Sequence, residues 1–408
     1  MAPTITFFPV GNGDMTLISL GDARDTKILI DCNIRLAADN AADITRDVAA
    51  DLRERIRFDD RGRPYLDVFV LSHPDVDHCR GLARHFYLGA PQDYPDDGKP
   101  AKEKRIIIRE IWSSPMIFRR ACRAHVLTPD AAAFNSEAKR RVKVNRESGF
   151  NVVAGNRILI LGEDENGKTD ELQPILVCID DVITEINGIT STRFAARLLA
   201  PLPKMDEETE DRLGKNHSSV ILNIALTTGD FGGEIYNFLT GGDAEVAIWE
   251  MLWDKHEADP SVLAYDMMQT PHHCSWHALS YDSWSELHGR AEVSDSARAA
   301  LSQTRSGAII VASSKQIKDD DNDPPCYGAK RIYEYTVTEV GGAFYCTGEY
   351  PSVASVQPLE LVLTSTGFEV KPLRKAVGQG SLLQAPAVSA GLSFPDKPLM
   401  PNKPRGFA

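Results

Sequence analysis

Short apolar runs punctuated by turn residues organise this chain, and their changing period predicts a mixed α/β protein. Residues 4–8 and 15–19 read as two short strands joined by a glycine-rich link, and residues 27–30 as a third that ends at Asp31. Residues 41–56 place apolar side chains at helical spacing among charges, which predicts an exposed amphipathic helix. Residues 66–71 are almost wholly apolar and stop at Ser72, the pattern of a buried strand, and a helix is expected to begin within 81–88. Further strands are predicted over 106–112, 156–161, 219–225, 234–239 and 308–312, with helices over 116–124, 130–144, 244–255 and 294–303. Residues 359–363 have the look of one more strand, whereas 93–100, 162–173 and 204–215 are too polar for a core. A strand-rich opening followed by two blocks of alternating helices and strands suits a pair of sheets with helices outside each.

With 408 residues, 42% hydrophobic and 25% charged, the chain can bury a full core. No apolar run approaches 18 residues, so no membrane insertion is expected. The first residues lack a basic segment followed by an apolar stretch, which argues against a signal peptide. Seven cysteines, never spaced Cys-x-x-Cys, argue against a disulfide scaffold or a thiolate zinc knuckle, and a cytoplasmic location is expected. The organisation predicted is a body over 1–350 and an extension over 351–408, irregular after 379, where Pro, Gly, Ser and Ala dominate. That tail could contact a protein partner, but its composition identifies none.

The net charge of −13 would repel a polyanion at long range. Residues 102–147, however, hold twelve Lys/Arg against five Asp/Glu, which reads as a basic helical insertion. Arg119, Arg120, Arg123, Lys139, Arg140, Arg141 and Lys143 are its candidate contacts to the phosphates of a nucleic acid or nucleotide. Charge-rich helices also simply face water, so the cluster leaves both readings open.

The sharpest chemical signal is His73-Pro-Asp75-Val-Asp77-His78, directly after the most apolar predicted strand. A loop at a strand end can bend so that such side chains converge. Imidazole and carboxylate are ligands for zinc, manganese or iron and need no thiolate. Two later segments could complete a centre: Asp243, which follows an apolar strand and two glycines, and the adjacent pair His272 and His273.

These residues resemble the metallo-β-lactamase fold superfamily, and in particular the metallohydrolase domain of ComEC-type DNA-uptake competence proteins. Residues 10–14 (Val-Gly-Asn-Gly-Asp), Ile30-Asp31, the hexapeptide from His73 to His78, Asn216 to Ser219, Gly242-Asp243, and His272-His273-Cys274-Ser275 follow that family's motif order, with Cys274 in place of a glycine. The resemblance covers roughly residues 4–347. It implies a four-layer αββα sandwich holding one or two divalent ions, Zn2+ or Mn2+. By it, His73, Asp75 and Asp243 are ligands of one ion, and Asp77, His78, Asp243 and His272 of the other, with Asp243 bridging.

Asp77 would also orient a metal-activated water, and His273 or His217 would steady the developing oxyanion. Asp14 and Asp31 would stand behind the ligands, and Ser275 would tie down the His272 loop or make ordinary turn bonds. Two departures stand out. The superfamily's further histidine is not plainly present, His217 being the nearest candidate, and Asp323 stands where relatives often carry histidine. The implied activity is that of a phosphodiesterase or nuclease. Alternatives are hydrolysis of a small nucleotide or of a thioester or carboxylic substrate, or a non-catalytic metal-binding module with a regulatory or interaction role.

Overall fold

Pro64–Val70 is buried at all seven positions and pairs in parallel with Lys27–Ile30 on one side and Ile106–Ser113 on the other. A strand enclosed in this way needs apolar side chains on both faces, which is why its sequence is a run rather than an alternation. Its one charged residue, Asp67, accepts the Lys27 amide at 3.0 Å and meets the Arg109 guanidinium at 3.2 Å. The structure, a computed structural model, describes residues 1–373 apart from 125, 205 and 230–232. The predicted irregular tail after 379 lies outside the described residues.

The first sheet has an antiparallel half and a parallel half. Gly367–Val370, Leu359–Thr364, Thr4–Phe7, Thr16–Ser19 and Lys27–Ile30 run antiparallel in that order. Pro64–Val70, Ile106–Ser113, Arg157–Leu161 and Leu176–Val177 continue the sheet in parallel. The second sheet repeats the scheme. Val182–Ile183, Phe194–Ala200, Ile221–Thr227 and Ile235–Leu239 are antiparallel, then Tyr265–Gln269, Thr304–Ala312 and Ala343–Cys346 are parallel.

The larger apolar core takes residues from both sheets. Phe7 of the first meets Phe238 of the second edge-on at 5.8 Å, and Trp112 meets Phe194 at 6.0 Å. Thr16 Oγ1 donates to Gln269 Oε1 at 2.9 Å, a buried polar tie between the sheets. A second core lies around Trp249, Tyr265 and Tyr333, where the helices Val246–His256, Asp295–Leu301 and Tyr327–Thr338 cover the second sheet. Among the described residues no helix is long and apolar enough to cross a membrane.

The structure departs from the sequence expectations in four places. The helix predicted over 41–56 is confined to Val48–Arg53, whose N-terminus is capped by Asp47 accepting the Ala50 amide at 2.9 Å. Upstream, Asn40 and Asp43 accept amides two residues on, at 3.1 and 2.8 Å, and such side-chain turns compete with a helix. Residues 102–147 are not an insertion. They supply the central strand Ile106–Ser113 and the crossover helices Pro115–Ala124 and Pro129–Glu147 that lead to the next parallel strand.

The body also does not stop near 350, because Leu359–Thr364 adds to Thr4–Phe7 and buries Leu359, Leu361 and Leu363. The compact unit accordingly runs to Lys371. Finally, the strands Phe194–Ala200 and Tyr265–Gln269 and the helix Tyr327–Thr338 carry no clear sequence signal.

Candidate metal centre

In open α/β sheets, ligands gather beyond the carboxyl ends of parallel strands. Here the parallel halves of both sheets send such ends to one place. Lys27–Ile30 ends at Asp31, Pro64–Val70 leads into the His73–His78 loop, Ile235–Leu239 leads to Asp243, and Tyr265–Gln269 leads to His272 and His273.

His78 and Asp243 form the middle of the centre. Both are buried, with His78 Nε2 2.9 Å from Asp243 Oδ1. His273 Nε2 lies 3.5 Å from the same oxygen and 3.4 Å from Asp77 Oδ2. Asp77, His78 and His273 offer ligand atoms that all lie within 4.8 Å of one another. On the other side of Asp243, His73 Nε2 is 4.0 Å from its Oδ2 and 3.4 Å from Asp75 Oδ2.

Asp31 and Asp14 stand behind two of the rings. Asp31 Oδ2 accepts from His78 Nδ1 at 2.9 Å and from the Ser72 hydroxyl, and its Oδ1 accepts the Ser72 amide at 2.8 Å. Asp14 Oδ1 is 3.3 Å from His273 Nδ1. A carboxylate on one ring nitrogen leaves the other as a lone pair facing the centre, the usual way a protein prepares a histidine ligand.

Glycines let the pieces approach. A Cβ on Gly241 would sit 2.8 Å from the Pro271 Cα, and one on Gly242, where φ is +48°, 2.8 Å from the Ser219 Cβ. Ser219 Oγ in turn accepts the Asp243 amide at 3.0 Å, fixing the carboxylate.

The histidine pair has a backbone decided by a strained turn. His272, His273 and Cys274 are all left-handed, with φ of 48°, 54° and 70°. Such values cost energy for residues with a side chain, and they cluster where function demands a particular aim. The turn points His273 into the centre, reversing the placement expected from the motif. His272 is at the edge, its Nε2 3.9 Å from Asp243 Oδ2 and its Nδ1 3.8 Å from Glu245 Oε1. Ser275 makes turn bonds: its amide donates to the His272 carbonyl at 2.9 Å and its Oγ accepts the His277 amide at 3.1 Å.

His217 is not in the group. Its Nδ1 accepts the Gly214 amide at 3.0 Å and its Nε2 faces Glu245 Oε2 at 3.6 Å. Asp323 supports the loop from outside, accepting the Trp276 amide at 3.0 Å. Glu245 and Lys215 were not singled out by sequence. Glu245 joins Asn216, His217 and His272, and the Lys215 ammonium pairs with Asp75 Oδ2.

The electrostatics favour positive charge at this position. Burial alone would raise the Asp243 carboxyl, but His78, His272 and His273 outweigh it and hold that carboxyl well below the ordinary range. Burial likewise opposes charge on the rings. Asp243 and Asp31 nonetheless push His78 well up, and Asp243 with Asp14 and Asp77 pushes His273 to about 10. Asp75 is held low against burial by His73 and Lys215. Asp31, by contrast, is pushed up because its full burial outweighs the pull of His78.

The residues fit a divalent ion on a separate test. Both ring nitrogens of His73 and His273, His78 Nε2, His272 Nδ1, and Oδ1 of Asp14 and Asp243 are buried without a hydrogen bond of good geometry. Buried polar atoms are costly when unsatisfied, so His78 Nε2 and His273 Nε2, both facing Asp243 Oδ1, call for a ligand between them. Nitrogen and oxygen donors without thiolate suit zinc or manganese.

The predicted phosphate-binding surface is largely absent. Arg120 is buried and bidentate to Glu210, at 2.9 and 3.0 Å, and Arg141 is buried against Glu137 and the carbonyls of Ile108 and Arg157. Arg140 is held by Glu137 and Asn156, and Arg119 by Asp164 and Glu165. A guanidinium committed to internal carboxylates and carbonyls cannot also grip a substrate phosphate. Lys139 and Lys143 are exposed, Lys143 lying 3.7 Å from Glu147, and the side chain of Arg123 lies outside the described residues.

No family model matches the chain, and no curated protein does. A solved structure, a protein of unknown function from Enterococcus faecalis V583, is 10% identical and matches over 85% of this chain and 88% of its own, with a TM-score of 0.26. A likeness that slight carries no argument about fold or function.

Proposed function

We propose that this chain is a metal-dependent hydrolase of the metallo-β-lactamase type, built as an αββα sandwich, with a phosphodiester as its substrate class. The observation that carries this is the donor set Asp77, His78 and His273, whose ligand atoms lie within 4.8 Å of one another, with His78 Nε2, His273 Nε2 and the adjoining Asp243 Oδ1 buried without hydrogen-bond partners. A bound divalent ion would supply Lewis acidity and lower the pKa of water toward about 7.

The chain's own residues divide the remaining work. Asp31 and Asp14 hold the His78 and His273 rings so that one nitrogen of each faces inward. Asp77, whose side chain is 29% exposed, reaches solvent and can orient an attacking water and accept its proton. His272, at the rim against Glu245, is placed to donate to an oxygen that gains charge as the attacked bond breaks.

The internal pairing of Arg119, Arg120, Arg140 and Arg141 favours a small diester or nucleotide over a long polynucleotide, since it leaves no continuous cationic track from those side chains. The test is hydrolysis of bis-p-nitrophenyl phosphate, with a thioester and a carboxylic ester as controls. Turnover should vanish on chelation and return with Zn2+ or Mn2+. Asp77→Asn should lower it by about 100-fold or more, and His273→Ala should abolish metal uptake. Folded, metal-loaded protein that turns over none of these substrates would favour the non-catalytic module. Unchanged metal uptake by His273→Ala would remove the ligand set.

A further inference from the structure

We infer that Lys215 is a built-in cation that fills the first metal position, so that the chain holds one divalent ion rather than two. This rests on the metal-centre reading above. The ammonium pairs with Asp75 Oδ2, the same oxygen that lies 3.4 Å from His73 Nε2. That nitrogen is in turn 4.0 Å from Asp243 Oδ2. His73, Asp75 and Asp243 are the donors a first ion would use, and the ammonium already satisfies one of them.

The lysine is delivered by an anchored turn. The Ser218 hydroxyl donates to the Lys215 carbonyl at 2.6 Å, and Asn216 Nδ2 donates to Glu245 Oε1 at 2.7 Å. From the opposite side, the buried guanidinium of Arg120 donates to the His217 carbonyl at 3.1 Å. The Lys215 side chain is 33% exposed, and its ammonium is turned to Asp75.

Charge at the first position agrees, because the Lys215 ammonium already faces the Asp75 carboxylate that a first ion would need. A second divalent ion beside the ammonium would meet a like charge a few ångströms away. The position also answers the missing histidine: His217, the nearest one, is turned toward Glu245, and its neighbour Lys215 reaches the first position instead.

The experiment is metal stoichiometry by elemental analysis and titration calorimetry, with electron paramagnetic resonance of the Mn2+-loaded protein. Wild type should bind one ion and show an isolated Mn2+ signal, and His73→Ala should not change that number. Lys215→Met, which keeps the stem and removes the charge, should gain a second equivalent and an exchange-coupled signal. Two ions or a coupled signal in wild type, or a single equivalent in folded Lys215→Met, would overturn the assignment. If Lys215→Met does not fold, the wild-type spectrum and the His73→Ala stoichiometry still decide. No metal at all in folded wild type would overturn this inference together with the hydrolase reading, whereas two ions would overturn the inference alone.

Discussion

Replacing Asp31 by asparagine removes a charge from the floor of the centre and nearly nothing else. The backbone there is left-handed, with φ of 56°, a conformation asparagine tolerates as well as aspartate does. Asp31 accepts from three donors: the Ser72 amide at 2.8 Å, the Ser72 hydroxyl, and His78 Nδ1 at 2.9 Å. An asparagine has one acceptor oxygen, so its NH2 group must face donors on one side. If that group turns toward His78 it can only donate, and only to an Nδ1 whose proton has moved to Nε2, the nitrogen 2.9 Å from Asp243. The ligand nitrogen is then blocked.

Partners of this kind are worth about 10- to 100-fold in metal affinity, or about 1.4–2.7 kcal/mol. The loss of a buried hydrogen bond to a charged group should cost a further 1.5–3 kcal/mol or so of metal-free stability. Competition with a chromophoric chelator measures the first quantity, and urea unfolding of the metal-free protein the second. A folded Asp31→Asn protein whose metal Kd stays within about twofold of wild type would refute the idea that Asp31 sets the His78 tautomer.

Three further outcomes are expected. His273 holds its proton up to about 10 in the metal-free protein, against about 6.5 in an unfolded chain. Its contribution to metal-free stability is therefore complete below about pH 6.5 and lost as pH rises through about 10. Metal binding near pH 8 should accordingly release protons, read as a dependence of calorimetric enthalpy on buffer ionisation enthalpy, and no such dependence would contradict the electrostatics. Gly242→Ala should destabilise by about 2–4 kcal/mol and weaken metal binding, because the added carbon meets Ser219 at 2.8 Å in a left-handed backbone. Gly341→Ala, with φ of +70° but open space around it, isolates the backbone share, and equal losses at the two sites would discount the crowding. Arg120→Met should cost about 3–5 kcal/mol in denaturant unfolding, as breaking a buried ion pair does. Unchanged stability with weakened, salt-dependent nucleic-acid binding would restore the phosphate-contact role instead.

Much of the scaffold could be read along the chain because local pattern and local environment agree there. Pro64–Val70 is apolar because parallel neighbours enclose it, and the His73–His78 loop follows it because a strand end is a rigid place to hang ligands. Asp14 and Asp31 were legible only as members of an ordered motif set, since each lies far in sequence from the ring it supports. The basic segment misled because counting charges cannot say which arginines turn inward, and Arg120 and Arg141 found buried carboxylates instead of water.

What the sequence by itself determined, then, was the α/β alternation and the donor chemistry, for these depend on residue type and short spacing. The choice between His272 and His273, the arrival of Glu245 and Lys215, and the joining of Leu359–Thr364 to the first strand were decided only by tertiary structure. Each rests on a backbone angle or a long-range approach. A single left-handed turn selects which of two identical side chains faces the centre, and nothing in their neighbouring letters carries that information.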